Sequence, residues 1–168
     1  DNILRYLPVG TVMVRLHEAD TLFDVLARIA AVRISGCDLM LSIPEALEPE
    51  ALKPEALKPE ALKPEALKND VTAFLLGKAG KQMIGDGSLS FQTDEAVIEM
   101  IPEIQRIRYA APERVPHKVF EAAATTGFYI ARAPVMMEGR IELLQYFRQQ
   151  AICDSYHRYG NLGERTVI

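Results

Sequence analysis

A strand pattern, a capped helix pattern and a second strand pattern follow one another near the start of the chain, and this succession constrains the fold most. The segment VGTVMVRL after Pro8 is rich in β-branched residues, and CDLMLSI after Gly36 is almost continuously apolar. Thr21 and Asp24 form a capping-box pattern between them, and Gly36 suits a left-handed helix end. Because a continuously apolar strand is typical of a parallel sheet, the order predicts a β-α-β unit.

The alternation of strand and helix patterns continues along the chain. The first helix places Leu22, Val25, Leu26 and Ile29 on one face. Later segments predict a short helix ending near Gly77 or Gly80 in DVTAFLLGKAG, a short strand in GDGSLSFQT, a capped helix in TDEAVIEMIPEI with Val97, Ile101 and Ile104 on one face, a strand in RIRYA, a helix in VPHKVFEAAATTG and a strand in FYIARAPV.

The segment EGRIELLQYFRQQAIC predicts a long final helix. Its core stripe is Ile141, Leu144, Phe147 and Ala151, and the charged residues Glu138, Arg140, Glu142 and Arg148 fall mainly outside the stripe. The whole order predicts an α/β fold: a Rossmann-like three-layer sandwich with a mainly parallel sheet and right-handed connections, spanning residues 1–168 as a single domain.

Five copies of Pro-Glu-Ala-Leu-Glu/Lys occupy residues 44–68 and interrupt this alternation. Proline in a helix interior costs about 3 kcal/mol, so one continuous helix is excluded. Pro followed by Glu-Ala-Leu nevertheless makes a good first helical turn, and serial one-turn helices or an irregular extended arm fit best. We interpret residues 44–68 as an insertion or loop.

Composition excludes several classes of protein. The net charge is −4 and offers no basic surface for nucleic acid. The two cysteines, Cys37 and Cys153, make neither a disulfide framework nor a zinc-site spacing, which indicates a cytoplasmic setting. No apolar run is long enough to span a membrane. The start DNILRY has no initiating Met, so we expect a fragment of a larger protein.

Motifs for cofactor chemistry are missing. A dinucleotide fingerprint needs glycines after the first strand, whereas this connection is HEADT, with two acids that would repel phosphate. In LLGKAGKQMIGDG, Leu75 and Gln82 stand where a phosphate-binding loop requires Gly and Ser/Thr. A glycine-rich surface turn is the favoured interpretation, so the sequence predicts no cofactor-binding site.

Candidate nucleophiles and metal ligands are equally sparse. Cys153 and His157 would share a helix face if the final helix continued that far, which leaves a Cys/His pair as a minor alternative to a half-buried thiol beside a surface imidazole. His17 and His117 stand alone, without metal-ligand spacing. The sequence therefore predicts neither catalytic residues nor a metal site.

The tail at 154–168 is rich in residue types that are common at interfaces. We predict that it docks on protein through Tyr156, His157, Arg158, Tyr159, Gly160, Asn161, Leu162 and Gly163. Two alternatives stay open: the tyrosines pack back on their own sheet, or they stack on nucleic acid. The second lacks a basic stripe.

Two long segments carry a resemblance: LRYLPVGTVMVRLHEADTLFDVLARIAAVRISGCDLMLSIP and TGFYIARAPVMMEGRIELLQYFRQQAICDSYHRYGNLGE. Together they resemble the carboxy-terminal end of the bacterial proline utilisation A family, whose members join a proline dehydrogenase to an NAD-dependent L-glutamate γ-semialdehyde (1-pyrroline-5-carboxylate) dehydrogenase. Some members end in an additional aldehyde-dehydrogenase-like domain that lacks catalytic residues, and this chain is similar to that domain. The repeat is a departure from the family.

The resemblance implies a structural role. The extra domain covers the dehydrogenase region, contributes to oligomer contacts and helps to close the tunnel for the intermediate. The docking tail from Tyr156 to Gly163 would act there, against the parent dehydrogenase domains or another subunit. The implied parent uses NAD and FAD, and this fragment would hold neither. Two alternatives remain: an NAD-binding or residual dehydrogenase half-site, and a stand-alone interaction module with the repeat as a ligand for another protein.

Overall fold

The computed structural model describes residues 2–49 and 70–153. In chain order, the strands are β1 (Asn2–Pro8), β2 (Thr11–Arg15), β3 (Asp38–Pro44), β4 (Ser88–Gln92), β5 (Arg106–Arg108), β6 (Ile130–Ala131) and β7 (Phe147–Cys153). The helices are α1 (Leu22–Ser35), α2 (Asp70–Leu76), α3 (Lys78–Ile84), α4 (Asp94–Glu99), α5 (His117–Thr126) and α6 (Gly139–Leu143). Short 3-10 turns lie at Glu45–Leu47, Ile101–Glu103, Pro112–Arg114 and Leu144–Tyr146.

Five of these strands form one all-parallel sheet, in the order β4-β3-β2-β5-β6. Helices flank the sheet, and the α/β fold is consistent with a Rossmann-like layer arrangement. The parallel sheet predicted from the sequence is confirmed. The chain runs outward from β2 to β4 on one side and returns to place β5 beside β2. The strand order therefore reverses between β2 and β5.

Alternating side chains of β2 divide the interior into two apolar clusters. Val12, Val14 and Leu16 belong to the cluster that contains α1, and Met13 belongs to the cluster that contains α4 and α5. This alternation is the two-residue period of a strand. Both faces of the sheet are thereby covered, as the continuous apolar character of the strands predicts.

Both ends of α1 form as predicted. The Thr21 hydroxyl accepts from the Asp24 amide, the Asp24 carboxylate accepts from the Thr21 amide, and Gly36 is left-handed with φ 74°. The predicted apolar face is wrong at Leu22, which is 42% exposed at the first helical position. Val25 and Ile29 are fully buried, so the buried face of α1 begins at Val25.

The segment after residue 70 forms two short helices where the sequence predicts one. The first ends before Gly77, as predicted, and α3 then continues to Ile84. Gly80 allows α3 to lie against α2, since a Cβ there would stand 2.4 Å from both the Leu75 Cα and the Phe74 carbonyl oxygen. Close backbone contact explains this glycine.

The first copy of the repeat, residues 44–48, lies within the described part of the chain. Pro44 ends β3, where it pairs with Gln92, and Glu45–Leu47 form a single 3-10 turn. One short turn after a proline agrees with the expected one-turn structure for this copy. The other four copies begin at Pro49, and apart from Pro49 they fall in residues 50–69, outside the described residues.

The predicted long final helix is wrong. Only Gly139–Leu143 are α-helical, and Phe147–Cys153 form β7, which pairs antiparallel with β1. Ile141, Leu144 and Ala151 of the predicted core stripe are exposed, whereas Glu142 is 3% exposed. Pairing with the first strand, from the other end of the sequence, outweighs the local helical pattern. Within the described residues, no helix has the length and apolarity needed to cross a membrane.

Candidate functional site

The strand order of the sheet reverses between β2 and β5, and each of these two strands has an arginine as its last residue. Arg15 is the last residue of β2, and Arg108 is the last residue of β5. In open parallel sheets, ligands bind in the crevice outside the carboxyl ends of the strands at this point. The crevice between β2 and β5 is therefore the first place to look for a site.

The side chain of Arg28 fills this crevice. It projects from α1, is fully buried, and its Nη1 donates to the carbonyl oxygens of Arg15 at 2.9 Å and Arg108 at 3.3 Å. Its Nε donates to the Asp24 carbonyl oxygen at 2.9 Å, and its Nη2 pairs with Asp20. Burial lowers the pKa of the Arg28 guanidinium, and the charge of Asp20 opposes that shift. One internal ion pair thus occupies the reversal point.

The loop before α1 brings carboxylates to the helix N-terminus. Asp20 accepts from the His17 amide at 3.2 Å and from Arg114 at 2.7 Å, in addition to Arg28. Asp24 accepts from Arg114 at 3.0 Å. Burial alone would raise the pKa of the Asp24 carboxyl, but hydrogen bonds from Thr21 and Arg114 outweigh it and leave the pKa below its ordinary value.

These carboxylates occupy the place where a dinucleotide fold holds its pyrophosphate. A helix N-terminus attracts anions because its first amides are unpaired and its dipole is positive there. Here the Asp24 carboxylate, together with the Thr21 hydroxyl, satisfies that end from within the chain. The HEADT connection therefore leads into α1 through a capping box that Thr21 forms with Asp24.

A second network lies between β5 and the last helical turn. Arg108 Nη2 donates to both carboxylate oxygens of Glu142 at 2.8 Å, and the Tyr146 hydroxyl donates to the same carboxylate at 2.9 Å. Burial raises the pKa of the Tyr146 hydroxyl, and the charge of Glu142 raises it further. Tyr146 thus remains a hydrogen-bond donor, and the network fixes the chain where β7 begins.

Arg15 starts a third chain of hydrogen bonds across the strand ends. Its Nη1 donates to the Ser42 hydroxyl on β3 at 2.9 Å, and that hydroxyl donates to Gln92 on β4 at 2.5 Å. Its Nη2 pairs with Asp94 at 3.0 Å, and Lys118 also approaches Asp94 at 3.6 Å. Neighbouring strands are joined by these side chains as well as by their backbones.

Comparison with protein-family models, with curated proteins and with solved structures finds no match to this chain.

A cleft of about 240 Å³ opens at these strand ends, beside the residues at which α4 and α5 begin. Its lining comes from the loops that follow β2, β3, β4 and β5, and includes Arg15, Glu18, Leu47, Asp94 and Tyr109. Tyr109 is 1% exposed, and its hydroxyl has no hydrogen-bond partner among the described residues. Burial raises the pKa of Tyr109, and the charge of Arg15 opposes the rise.

Strands β1 and β7 form a separate two-stranded ribbon of seven residue pairs. We call one side of it the ribbon face, composed of Leu4, Tyr6, Phe147, Gln149 and Ala151. Leu4 is 62% exposed and Tyr6 is 48% exposed, and Tyr6 packs edge-on against Phe147 with 6.5 Å between ring centres. The ribbon thus presents apolar side chains to solvent.

The candidate residues from the sequence have mixed outcomes. The docking tail, including Tyr156–Gly163, lies outside the described residues. Cys153 ends a strand and is exposed, so the helix that would align it with His157 does not exist at that position. Cys37 is buried and its thiol donates to the Tyr146 carbonyl oxygen at 3.4 Å.

His17 and His117 make contacts with nearby residues in the sequence, and the glycine-lysine segment joins two helices. His17 Nδ1 accepts from the Ala19 amide at 3.1 Å, and His117 lies 3.4 Å from Glu121 on the surface of α5. The segment LLGKAGKQ forms the α2–α3 junction. Among residues 2–49 and 70–153, no group of three or more His, Cys, Asp or Glu could hold a metal ion.

The buried arginines are the site residues that sequence reasoning missed. Arg28 lies on the same helical stripe as Val25, Ile29 and Val32, and all four are fully buried. A charged residue on an apolar stripe is the signal that could have found it, because buried charges are almost always paired. Arg108 alternates with Ile107 in a short strand and gives a weaker form of the same signal.

Proposed function

We propose that this chain is a non-catalytic assembly domain of a proline-catabolic enzyme. The parent would convert proline through 1-pyrroline-5-carboxylate to glutamate, with FAD and NAD bound outside this domain. The domain would contact the parent dehydrogenase domains or another subunit in the cytoplasm. It would support oligomer contacts and closure of the substrate channel. The resemblance of the two long sequence segments supplies the enzyme class.

The β1–β7 ribbon is the observation that carries the assembly role. Isolated two-stranded ribbons are at best marginally stable in water, and three or more strands or a packed face are usually needed. This ribbon is anchored at its base, where the Val9 amide donates to the Tyr146 carbonyl oxygen at 3.1 Å and Arg106 donates to the Gln145 carbonyl oxygen at 2.5 Å. Leu4 and Tyr6, farther along it, remain exposed. Burial of the ribbon face against a partner would complete its packing.

The filled crevice supports a role without catalysis. Arg28, Asp20 and Asp24 close the reversal point and the N-terminus of α1 with internal ion pairs and hydrogen bonds. An NAD pyrophosphate placed there would meet two carboxylates and would have to break these contacts. This argues against the NAD-binding half-site. A calorimetric titration with NAD tests it, and tight binding would favour that alternative instead.

Sedimentation of the whole chain tests the assembly role. We expect concentration-dependent self-association that Leu4→Asp weakens, since a charge on the ribbon face opposes burial. Ile34→Asp is the matched control, because Ile34 is an apolar residue on α1, outside the ribbon, that is 74% exposed. If the wild type stays monomeric and sediments like both variants, the ribbon no longer supports the assembly role.

The coding sequence upstream of residue 1 tests the enzyme class. We expect an aldehyde dehydrogenase with a Gly-Gln-x-Cys type segment and a Glu-Leu-Gly-Gly segment, preceded by a proline dehydrogenase. An upstream region of a different enzyme class would contradict the proline-catabolic parent while leaving the assembly role open to the sedimentation test.

A further inference from the structure

We propose that the free edge of β7 pairs antiparallel with the β7 edge of a second copy of this chain, so that two ribbons join into one four-stranded sheet. The strand order is then β1-β7-β7-β1, with a twofold axis at Gln150. This inference rests on the assembly role proposed above, and it names the partner and the way in which the partner binds. Four strands also meet the usual requirement for a stable sheet, which a two-stranded ribbon does not.

Strand β7 has an unpaired backbone edge. It pairs with β1 continuously from Phe147 to Cys153, without a bulge. Among the described residues, the amides and carbonyls of Arg148–Cys153 make no backbone hydrogen bonds apart from those of this pairing. An exposed edge of this kind is a template for pairing with another strand.

The edge of β7 lacks the features with which proteins usually block such pairing. Very short strands, proline, lysine and bulges are common means of protecting an edge. Strand β7 is seven residues long and contains neither proline nor lysine, whereas β6 at one edge of the parallel sheet has only two residues. The length and composition of β7 therefore favour pairing.

A register centred on Gln150 suits the side chains of β7. In a twofold antiparallel pair the central residue lies opposite itself, and all seven residues of each strand have a partner. Arg148 then lies opposite Ile152, so like charges do not meet. The Gln150 Oε1 accepts from Arg5 at 2.6 Å, whereas its amide nitrogen has no partner among the described residues. Two such amides facing each other across the axis can exchange hydrogen bonds.

Strand β1 limits the assembly to two copies. It forms both outer edges of the four-stranded sheet. The twofold register that pairs its full length sets Arg5 opposite Arg5, and Pro8 has no backbone donor. Both features oppose the addition of a further strand. The pairing therefore closes as a dimer and does not propagate into a fibre.

The pairing also joins the two ribbon faces. The twofold axis is perpendicular to the sheet, and alternate residues of a strand share one side. Phe147, Gln149 and Ala151 of both copies therefore lie on the same side, flanked by Leu4 and Tyr6 of the two β1 strands. Two separate apolar faces become one continuous surface.

Cysteine crosslinking of the whole chain tests the register. In a Cys153→Ser background, the remaining cysteine, Cys37, is buried, and Gln150→Cys places a thiol opposite its own copy. Directly opposite Cα atoms lie about 4.5–5.5 Å apart, within the range of a disulfide. Gln149→Cys is the matched control, because its two copies lie on a diagonal about 7–8 Å apart. Under mild oxidation, we expect Gln150→Cys to form covalent dimers at least about tenfold faster than Gln149→Cys.

A mixture of two variants provides a second readout that keeps Gln150 and its bond from Arg5 in place. In this register Gln149 lies opposite Ala151 of the other copy. In the same Cys153→Ser background, a mixture of Gln149→Cys and Ala151→Cys chains should therefore crosslink at least about tenfold faster than either chain alone.

The failure of this pairing can be told apart from the failure of the assembly role. If the chain sediments as a dimer but Gln150→Cys and Gln149→Cys crosslink at equal rates, the edge pairing is overturned and the assembly role stands. Faster crosslinking of Arg5→Cys than of Gln150→Cys overturns it in favour of the β1 edge. A wild type that sediments only as a monomer overturns the edge pairing together with the self-association on which it rests.

Discussion

Arg108 and Glu142 form a doubly hydrogen-bonded ion pair in the interior, with side chains 0% and 4% exposed. The pair joins the end of β5 to α6, and Glu142 also accepts from Tyr146 at 2.9 Å and from the Met136 amide at 3.2 Å. One carboxylate therefore organises the segment that leads into the ribbon.

We expect Glu142→Ala to lower the free energy of unfolding by about 3–5 kcal/mol, because removal of one partner leaves a buried charge uncompensated. Urea unfolding measures this. Glu138→Ala is the control, since its pair with Arg140 is exposed and surface pairs contribute about 0–1 kcal/mol. A loss in Glu142→Ala no larger than the loss in Glu138→Ala would contradict a supporting role for the pair.

Thr21→Ala should lower the free energy of unfolding by about 1 kcal/mol, because it removes the hydroxyl that caps α1. Thr125→Ala is a matched control: the Thr125 hydroxyl is exposed and donates to the Ala122 carbonyl oxygen within a helix. Such a back-bond contributes little to helix stability. Equal urea midpoints for the two variants would show that the cap is not energetically important.

Asp24 predicts an acid-sensitive contribution to stability. Its pKa in the folded state lies below the ordinary value of 3.8, so the folded state favours the ionised form. The stabilisation is complete above the unfolded-state pKa and is lost as the pH falls through the folded-state pKa. Asp24→Asn should lose this contribution, and its stability should therefore depend less on pH below about 4. Parallel pH profiles of the two proteins in urea unfolding would contradict the prediction.

Gly80→Ala should destabilise the protein by about 1–3 kcal/mol despite the higher helix propensity of alanine. The new Cβ would stand 2.4 Å from backbone atoms of Phe74 and Leu75, and backbone cannot rotate away. Gly139→Ala is the control, because nothing lies within 4 Å of a Cβ there. It should be neutral or more stable. Thermal unfolding midpoints compare the two variants. An unchanged midpoint for Gly80→Ala would contradict the prediction, because it would mean that α2 and α3 can move apart to accommodate the Cβ at no cost.

The parallel sheet could be predicted because its signals are local. Thr21, Asp24 and Gly36 mark the two ends of α1 within the sequence itself. The apolar residues of β2 and β3 are enough to predict both as strands. Each of these elements agrees with its own propensity and with the fold. The α/β class follows from their order.

The ribbon could not be predicted because its signal is distant. Phe147–Cys153 continues a helical pattern of residues, and only pairing with Asn2–Pro8 makes it a strand. The buried Arg108–Glu142 ion pair is similar, because its partners are 34 residues apart and meet only after the fold brings β5 and α6 together. Helix and strand propensities are weak predictors of structure where such tertiary contacts form.

The pairing of β1 with β7 also has a consequence for biosynthesis. Arg5 bonds Gln150 across 145 positions of sequence, so a growing chain cannot close the ribbon until nearly all of the described fold has left the ribosome. Contacts of such long sequence separation form late and slowly. The ribbon face therefore comes into existence only after residue 153 has been synthesised, and a translation product interrupted before that point would lack the surface through which we expect copies to meet.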